Sequence, residues 1–213
     1  MVRTQIVSRG IHDRRVLAAM VEVERERFVP QDLRARALAD CALPIGHGAT
    51  ISQPYVVALM TELARLEPGD RVLEVGTGSG YQAAILAALG VEVFSVERVE
   101  ALHDRGRAIF EELGIAGAGF EPTTRGGGRV WTRHADGFAG WPERAPFDAI
   151  FVTAAPVELP DRLLEQLVIG GRLVAPVGPR WCQSLRVFER TEGGVLERHE
   201  TDVTFVPMLP GLC

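Results

Sequence analysis

The run Arg71-Val-Leu-Glu-Val-Gly-Thr-Gly-Ser-Gly-Tyr81 holds the residues whose spacing speaks most directly to chemistry. Four strand-like residues, 72–75, run into glycines at 76, 78 and 80, and a helical run, residues 82–89, follows. A strand that turns through glycines into a helix brings bare backbone close to a ligand. It also aims the first N–H groups of the helix at that ligand. A dinucleotide fingerprint, G-x-G-x-x-G, would require glycine at position 81, where Tyr81 stands.

The spacing G-x-G-x-G with an acid, Glu74, inside the strand looks like a site for S-adenosylmethionine, cradled by Gly76, Thr77, Gly78, Ser79 and Gly80. Glu97 closes the next predicted strand about 20 residues beyond Gly78, where a carboxylate can accept hydrogen bonds from both hydroxyls of a ribose. Asp136-Gly137 follows a third predicted strand. There an acidic side chain can accept from an adenine amine, although Asp-Gly alone also marks a plain turn. Upstream, Thr50-Ile51-Ser52-Gln53-Pro54 reads first as a helix start, with Ser52 or Gln53 as cap. A cap and a ligand contact are compatible, because a helix N-terminus suits a carboxylate.

The elements that must position these residues alternate. Val16, Leu17, Met20 and Val23 recur at helical spacing within residues 13–23, and a second short helix is expected over 32–39. Residues 43–52 are glycine-punctuated loop or short extended structure. Pro54 suits the first turn of the next helix. Strands over 72–75, 91–96, 130–133, 149–152 and 172–176 alternate with helices over 82–89, 100–113 and 161–167, with Gly170-Gly171 as a turn. Apolar strands in this alternation predict an α/β fold, a mostly parallel sheet with helices on both faces. Residues 185–189, 195–198 and 203–207 predict antiparallel strands at the C-terminal end. A glycine-rich segment, 117–128, reads as a mobile surface loop. We expect a single domain: a helical, substrate-side segment over 1–66, a cofactor-binding core over 67–180, and C-terminal strands over 181–213.

With 213 residues, 46% hydrophobic and 24% charged, the chain is long enough to bury a real core. A net charge of -5 offers no electrostatic case for nucleic acid or an anionic membrane. The charged run from Glu22 to Arg27 reads as a solvated face. Three cysteines without a C-x-x-C pair and five isolated histidines predict neither a disulfide framework nor a metal site. No apolar stretch approaches the ~20 residues of a membrane span. The expectation is a soluble, cytoplasmic, monomeric protein.

Several motifs occur together in order: Gly48-Ala-Thr-Ile-Ser-Gln-Pro54, Val72 to Ala83, Asp136-Gly137, Ala145-Pro-Phe-Asp-Ala-Ile150, Val152-Thr-Ala-Ala155, Gly170-Gly-Arg-Leu173 and Phe205-Val-Pro207. With Gln5 to Asp13 and Arg27-Phe-Val-Pro30 they resemble the protein-L-isoaspartate O-methyltransferase family over nearly the whole chain. The resemblance implies a Rossmann-like class I methyltransferase. It would transfer a methyl group from S-adenosyl-L-methionine to the α-carboxyl of L-isoaspartyl residues in damaged proteins and peptides. The ester then collapses through a succinimide that reopens partly to aspartate. By position, the resemblance makes Ser52 the active-site residue, with Thr50 and Ile51 beside it at the cofactor boundary. It assigns Gly76 to Gly80 to the methionine part, Glu97 to the ribose, and Asp136 and Gly137 to the adenine side.

Ala49 and Leu38 depart from the family's usual glutamine and aromatic residue, and the 117–128 segment is longer than the family's. A nicotinamide oxidoreductase is disfavoured by Tyr81. An adenine-amino methyltransferase would carry Asp/Asn-Pro-Pro-aromatic where Thr153-Ala-Ala-Pro156 stands. A relative dedicated to one specific peptide is the alternative reading, and a non-catalytic cofactor binder the remaining class.

Overall fold

The computed structural model describes residues 1–117 and 127–213. Most of the predicted 117–128 loop therefore lies outside the described residues. Beyond short helical turns, the order is α1 (Arg14–Glu22), β1 (Leu43–Gly46), β2 (Ala49–Ile51), α2 (Pro54–Ala64), β3 (Arg71–Val75), α3 (Tyr81–Ala88) and β4 (Glu92–Glu97). Then follow α4 (Glu100–Glu112), β5 (Arg129–His134), β6 (Phe147–Val152), α5 (Asp161–Glu165), β7 (Leu167–Val177), β8 (Gln183–Thr191) and β9 (Gly194–Val203). Seven strands form one sheet in the order β5-β4-β3-β6-β7-β8-β9. The pairs from β5 to β7 are parallel, whereas β7–β8 and β8–β9 are antiparallel.

Alternation along the strands explains the layers. Val72, Val93, Ala149 and Phe151 point to one side, where they pack with Leu86 and Ala87 of α3. Leu73, Val75, Phe94, Ile150 and Val152 point to the other, with Leu163 of α5. Both faces are thus buried, as parallel sheets require. Helix α3 is apolar all round for a related reason. Ala83, Leu86 and Ala87 face the sheet, and Tyr81, Ala84 and Ile85 face an N-terminal layer containing Ile6, Val16, Met20, Phe28 and Ile51. Through α3, that layer is held at the carboxyl edge of the sheet.

Three local expectations change, and one is made specific. The helix predicted over 32–39 is a 3-10 turn, Gln31–Arg36, that exposes most of its side chains and is too short to nucleate an α-helix. Residues 43–51 form a two-stranded antiparallel hairpin. Helix α5 stops at Glu165, and β7 begins at Leu167, so Gly170 and Gly171 lie inside the strand. Gly170, at φ +85°, permits the register irregularity between β6 and β7 there. The strand predicted over 203–207 does not form. After Val203 the chain leaves the sheet, and Pro207 and Pro210, lacking N–H groups, cannot continue a ladder. It becomes a strap across the carboxyl edge, tied by Ala155 N–H to Val206 O and Met208 N–H to Ala155 O, each at 2.8 Å.

Candidate active site

Strand β3 is flanked by β4 on one side and β6 on the other, with connections leaving in opposite directions. Open α/β sheets bind ligands at such a switch point, outside the carboxyl ends of the strands. A cavity of about 670 Å3 opens there. Its wall includes Thr50 and Ser52 from the hairpin, Gly76 to Ser79 from the β3–α3 loop, and Glu97, Gly137 and Thr153 from the next strand ends. Residues 204–209 of the strap complete it.

The loop glycines do different work. All three have positive φ: +101° at Gly76, +53° at Gly78 and +84° at Gly80. A Cβ on Gly76 would lie 2.5 Å from Thr153 Oγ1, and one on Gly80 would lie 2.9 Å from the Phe110 ring. A Cβ on Gly78 would meet nothing closer than 3.9 Å. Gly76 and Gly80 are therefore required by packing against Thr153 and Phe110, whereas Gly78 has open space where its side chain would be. Thr153 Oγ1 donates to the Gly76 carbonyl at 2.6 Å and fixes the loop's first turn.

Glu97 is 5% exposed and is held by its own backbone surroundings. Gly78 N–H donates to Oε2 at 2.9 Å and Val99 N–H to Oε1 at 2.9 Å. A carboxylate has about four acceptor positions, so each oxygen retains capacity for a hydroxyl donor. A pre-aimed carboxylate beside an uncovered glycine fits the ribose and chain of a nucleoside cofactor.

Ile51, Glu74, Gly80 and Asp136 do not line the cavity. Ile51 is buried in the N-terminal core, and Gly80 is the residue before α3. Asp136 accepts from Phe138 N–H at 2.9 Å and from Gly211 N–H at 2.7 Å, so it anchors the strap. Gly137 lines the cavity, but its missing Cβ makes room for Val75 Cγ1, which would stand 2.4 Å away. Glu74 sits beneath the loop with no exposure. Ser95 Oγ donates to its Oε2 and lies 2.6 Å from Thr77 Oγ1, so a buried chain runs from Glu74 to a residue of the cavity wall. Oε1 lacks a partner within hydrogen-bond geometry. Burial pushes this carboxyl up to about 8. The Ser95 hydroxyl and the Ala83 N–H offset that only in part, and the nearby Glu97 adds to it.

Ser52 does not cap α2. The residue before the helix is Gln53, whose side chain makes no capping bond and instead donates to Asp40 Oδ1 at 2.8 Å. What fixes Ser52 is Arg25, which sequence reasoning placed on a solvated face. Arg25 is 1% exposed. Its guanidinium donates to the carbonyls of Ala37, of Cys41 at 3.1 Å and of Ser52 at 2.8 Å. Tyr81, in place of the dinucleotide glycine, lies under the same group, its ring centre 5.9 Å from Arg25 Cζ. No sequence signal marks Arg25, because its three acceptors are backbone groups far apart in the chain. The strap residues were missed for a similar reason: their ties to Ala155, Asp136 and Arg98 are tertiary.

The family model for protein-L-isoaspartate(D-aspartate) O-methyltransferase (PCMT) matches residues 1–211. A protein-L-isoaspartate O-methyltransferase of Synechococcus sp. is 49% identical over 98% of this chain and 84% of its own length. One from Methylorubrum extorquens is 51% identical over 100% and 88%. A solved protein-L-isoaspartate O-methyltransferase superimposes with a TM-score of 0.84 at 28% identity, over 97% of this chain; this chain spans 64% of that one. A Plasmodium falciparum chain described as a protein-L-isoaspartate O-methyltransferase, solved with S-adenosyl-L-homocysteine, gives 0.80 at 26% identity, over 95% and 94%. The chain therefore belongs to the protein-L-isoaspartate(D-aspartate) O-methyltransferase family.

Proposed function

We infer that the chain uses S-adenosyl-L-methionine to methylate the α-carboxyl of L-isoaspartyl residues in damaged proteins and peptides, which starts their repair through a succinimide. One observation carries this reading: Thr50 and Ser52 share a cavity wall with the glycine loop and Glu97. When bound, the cofactor supplies an activated methyl group on a sulfonium. Glu97 would hold the ribose hydroxyls, Gly78 would leave room for the methionine portion, and Gly137 would border the adenine side.

An α-carboxylate has a reference pKa near 3.3–3.7 and is already ionised at neutral pH, so the site needs no strong general base. Its task is alignment, which can lower a barrier by roughly 7–11 kcal/mol. Ser52, held from behind through its own carbonyl, would orient the acceptor carboxylate by hydrogen bonding. Ser52→Ala is therefore expected to lower turnover without changing the product; full activity in that variant would remove Ser52 from the mechanism. No described helix is long and apolar enough to cross a membrane. We place the protein in the cytoplasm, acting as a monomer.

The test is incubation with S-adenosyl-L-methionine and paired isoaspartyl and aspartyl peptides. Base-labile methyl ester on the isoaspartyl peptide alone supports the reading. Equal labelling of both peptides, or of neither, would overturn it.

A further inference from the structure

The tip between β7 and β8 joins a constrained backbone to exposed side chains. Gly178 N–H donates to Pro156 O at 3.0 Å, and Cys182 N–H to Pro179 O at 2.9 Å. A Cβ on Gly178, at φ +132°, would stand 2.2 Å from Cys182 O, so the loop closes tightly on itself. Two large side chains are left outside. Trp181 is 87% exposed, the most exposed large hydrophobic among the described residues. Arg180 lines the cavity and has no hydrogen-bond or ion-pair partner among the described residues. The other charged groups in that wall are engaged: Glu97 by two backbone N–H groups, and Arg98 by the Gly211 carbonyl at 2.9 Å.

An unpaired arginine beside an exposed tryptophan has the composition of a binding hot spot. The guanidinium fork matches a carboxylate. Its place in the sheet says which carboxylate. Strand β7 lies two strands from β3, across β6, so its end is about 10 Å from the glycine loop. An extended peptide advances about 3.3–3.6 Å per residue, so Arg180 falls within a few residues of the acceptor.

We propose that Arg180 determines peptide specificity by pairing with a carboxylate side chain that flanks the isoaspartyl residue, with Trp181 shielding the pair from water. The proposal rests on the isoaspartyl reading above. Arg180 acts on binding and does not touch the reacting atoms.

The experiment compares isoaspartyl peptides identical except for one residue, within two positions of the isoaspartyl on either side, set to Glu, Gln or Lys. For at least one such position the wild type is expected to prefer Glu over Lys about three- to tenfold, carried by KM with kcat unchanged, in keeping with a partly exposed ion pair. Arg180→Gln removes the preference, Arg180→Lys keeps part of it, and added salt erodes it in the wild type. Three results would overturn the proposal alone: equal kcat/KM for Glu and Lys peptides in the wild type, an unchanged ratio in Arg180→Gln, or a uniform loss across all peptides. The last would place Arg180 on the acceptor carboxylate itself. Methylation of no isoaspartyl peptide would overturn the proposal and the reading beneath it together.

Discussion

The two sides of the cavity wall each rest on one buried ionisable side chain, and each side chain is accommodated differently. Beneath the glycine loop lies Glu74, linked through Ser95 to Thr77, with one carboxyl oxygen unpartnered. Beneath the Ser52 segment lies Arg25, which donates to three backbone carbonyls. A carboxyl can shed its charge by holding a proton, and burial moves Glu74 in that direction. A guanidinium stays charged across the accessible range even though burial lowers its pKa, so its two terminal nitrogens are met by carbonyl acceptors, while Nε has none. The lesson is that a regular sheet edge tolerates a neutralised acid in its interior, while an irregular segment uses a permanent cation as a bracket.

The largest effect expected from this contrast is a pH dependence confined to the Glu74 side. The folded chain holds the Glu74 proton up to about 8, and the unfolded chain releases it near 4.5. Stability tied to this proton is fully present below 4.5 and declines as pH rises towards 8, above which the slope vanishes. Denaturant unfolding should show the wild type losing stability relative to Glu74→Gln across that window, by up to about 1.4 kcal/mol per pH unit. Parallel pH profiles would show that Glu74 does not hold its proton.

Arg25→Met comes next. It leaves three carbonyls without their donor, at about 1–3 kcal/mol for each that stays buried and unsatisfied. The expected result is a stability loss of about 3 kcal/mol and a raised KM for the isoaspartyl peptide. A variant with unchanged stability and KM would show that Arg25 is not a bracket.

Gly137→Ala should cost about 1–3 kcal/mol, because its Cβ would overpack Val75. Adding Val75→Ala should make the combined loss smaller than the sum of the two single losses. Additive losses would break the claim that packing, and not the ligand, requires glycine there.

The same contrast explains what the sequence made legible. The parallel sheet could be read because residues 72–75, apart from Glu74, and 149–152 are short apolar runs, and both faces of each strand are buried. Glu97 could be placed because its role depends on spacing along one βαβ unit. Arg25 could not, since its neighbours Glu24, Glu26 and Arg27 share its charge pattern and its partners meet only in the folded chain. Gly137 could be found, but its reason could not: the side chain that excludes a Cβ, Val75, sits on β3, far away in the chain. Glu74 was visible as an acid in the motif, yet only the alternation of strand faces shows that it points away from the cavity.

The division of the wall into a cofactor side and a substrate side is tested most directly by calorimetric titration of S-adenosyl-L-homocysteine into the wild type, Glu97→Gln and Arg25→Met. Losing the Glu97 charge should weaken binding about tenfold, or about 1.4 kcal/mol, while Arg25→Met should stay within about threefold of the wild type. Equal weakening by the two variants would contradict the division.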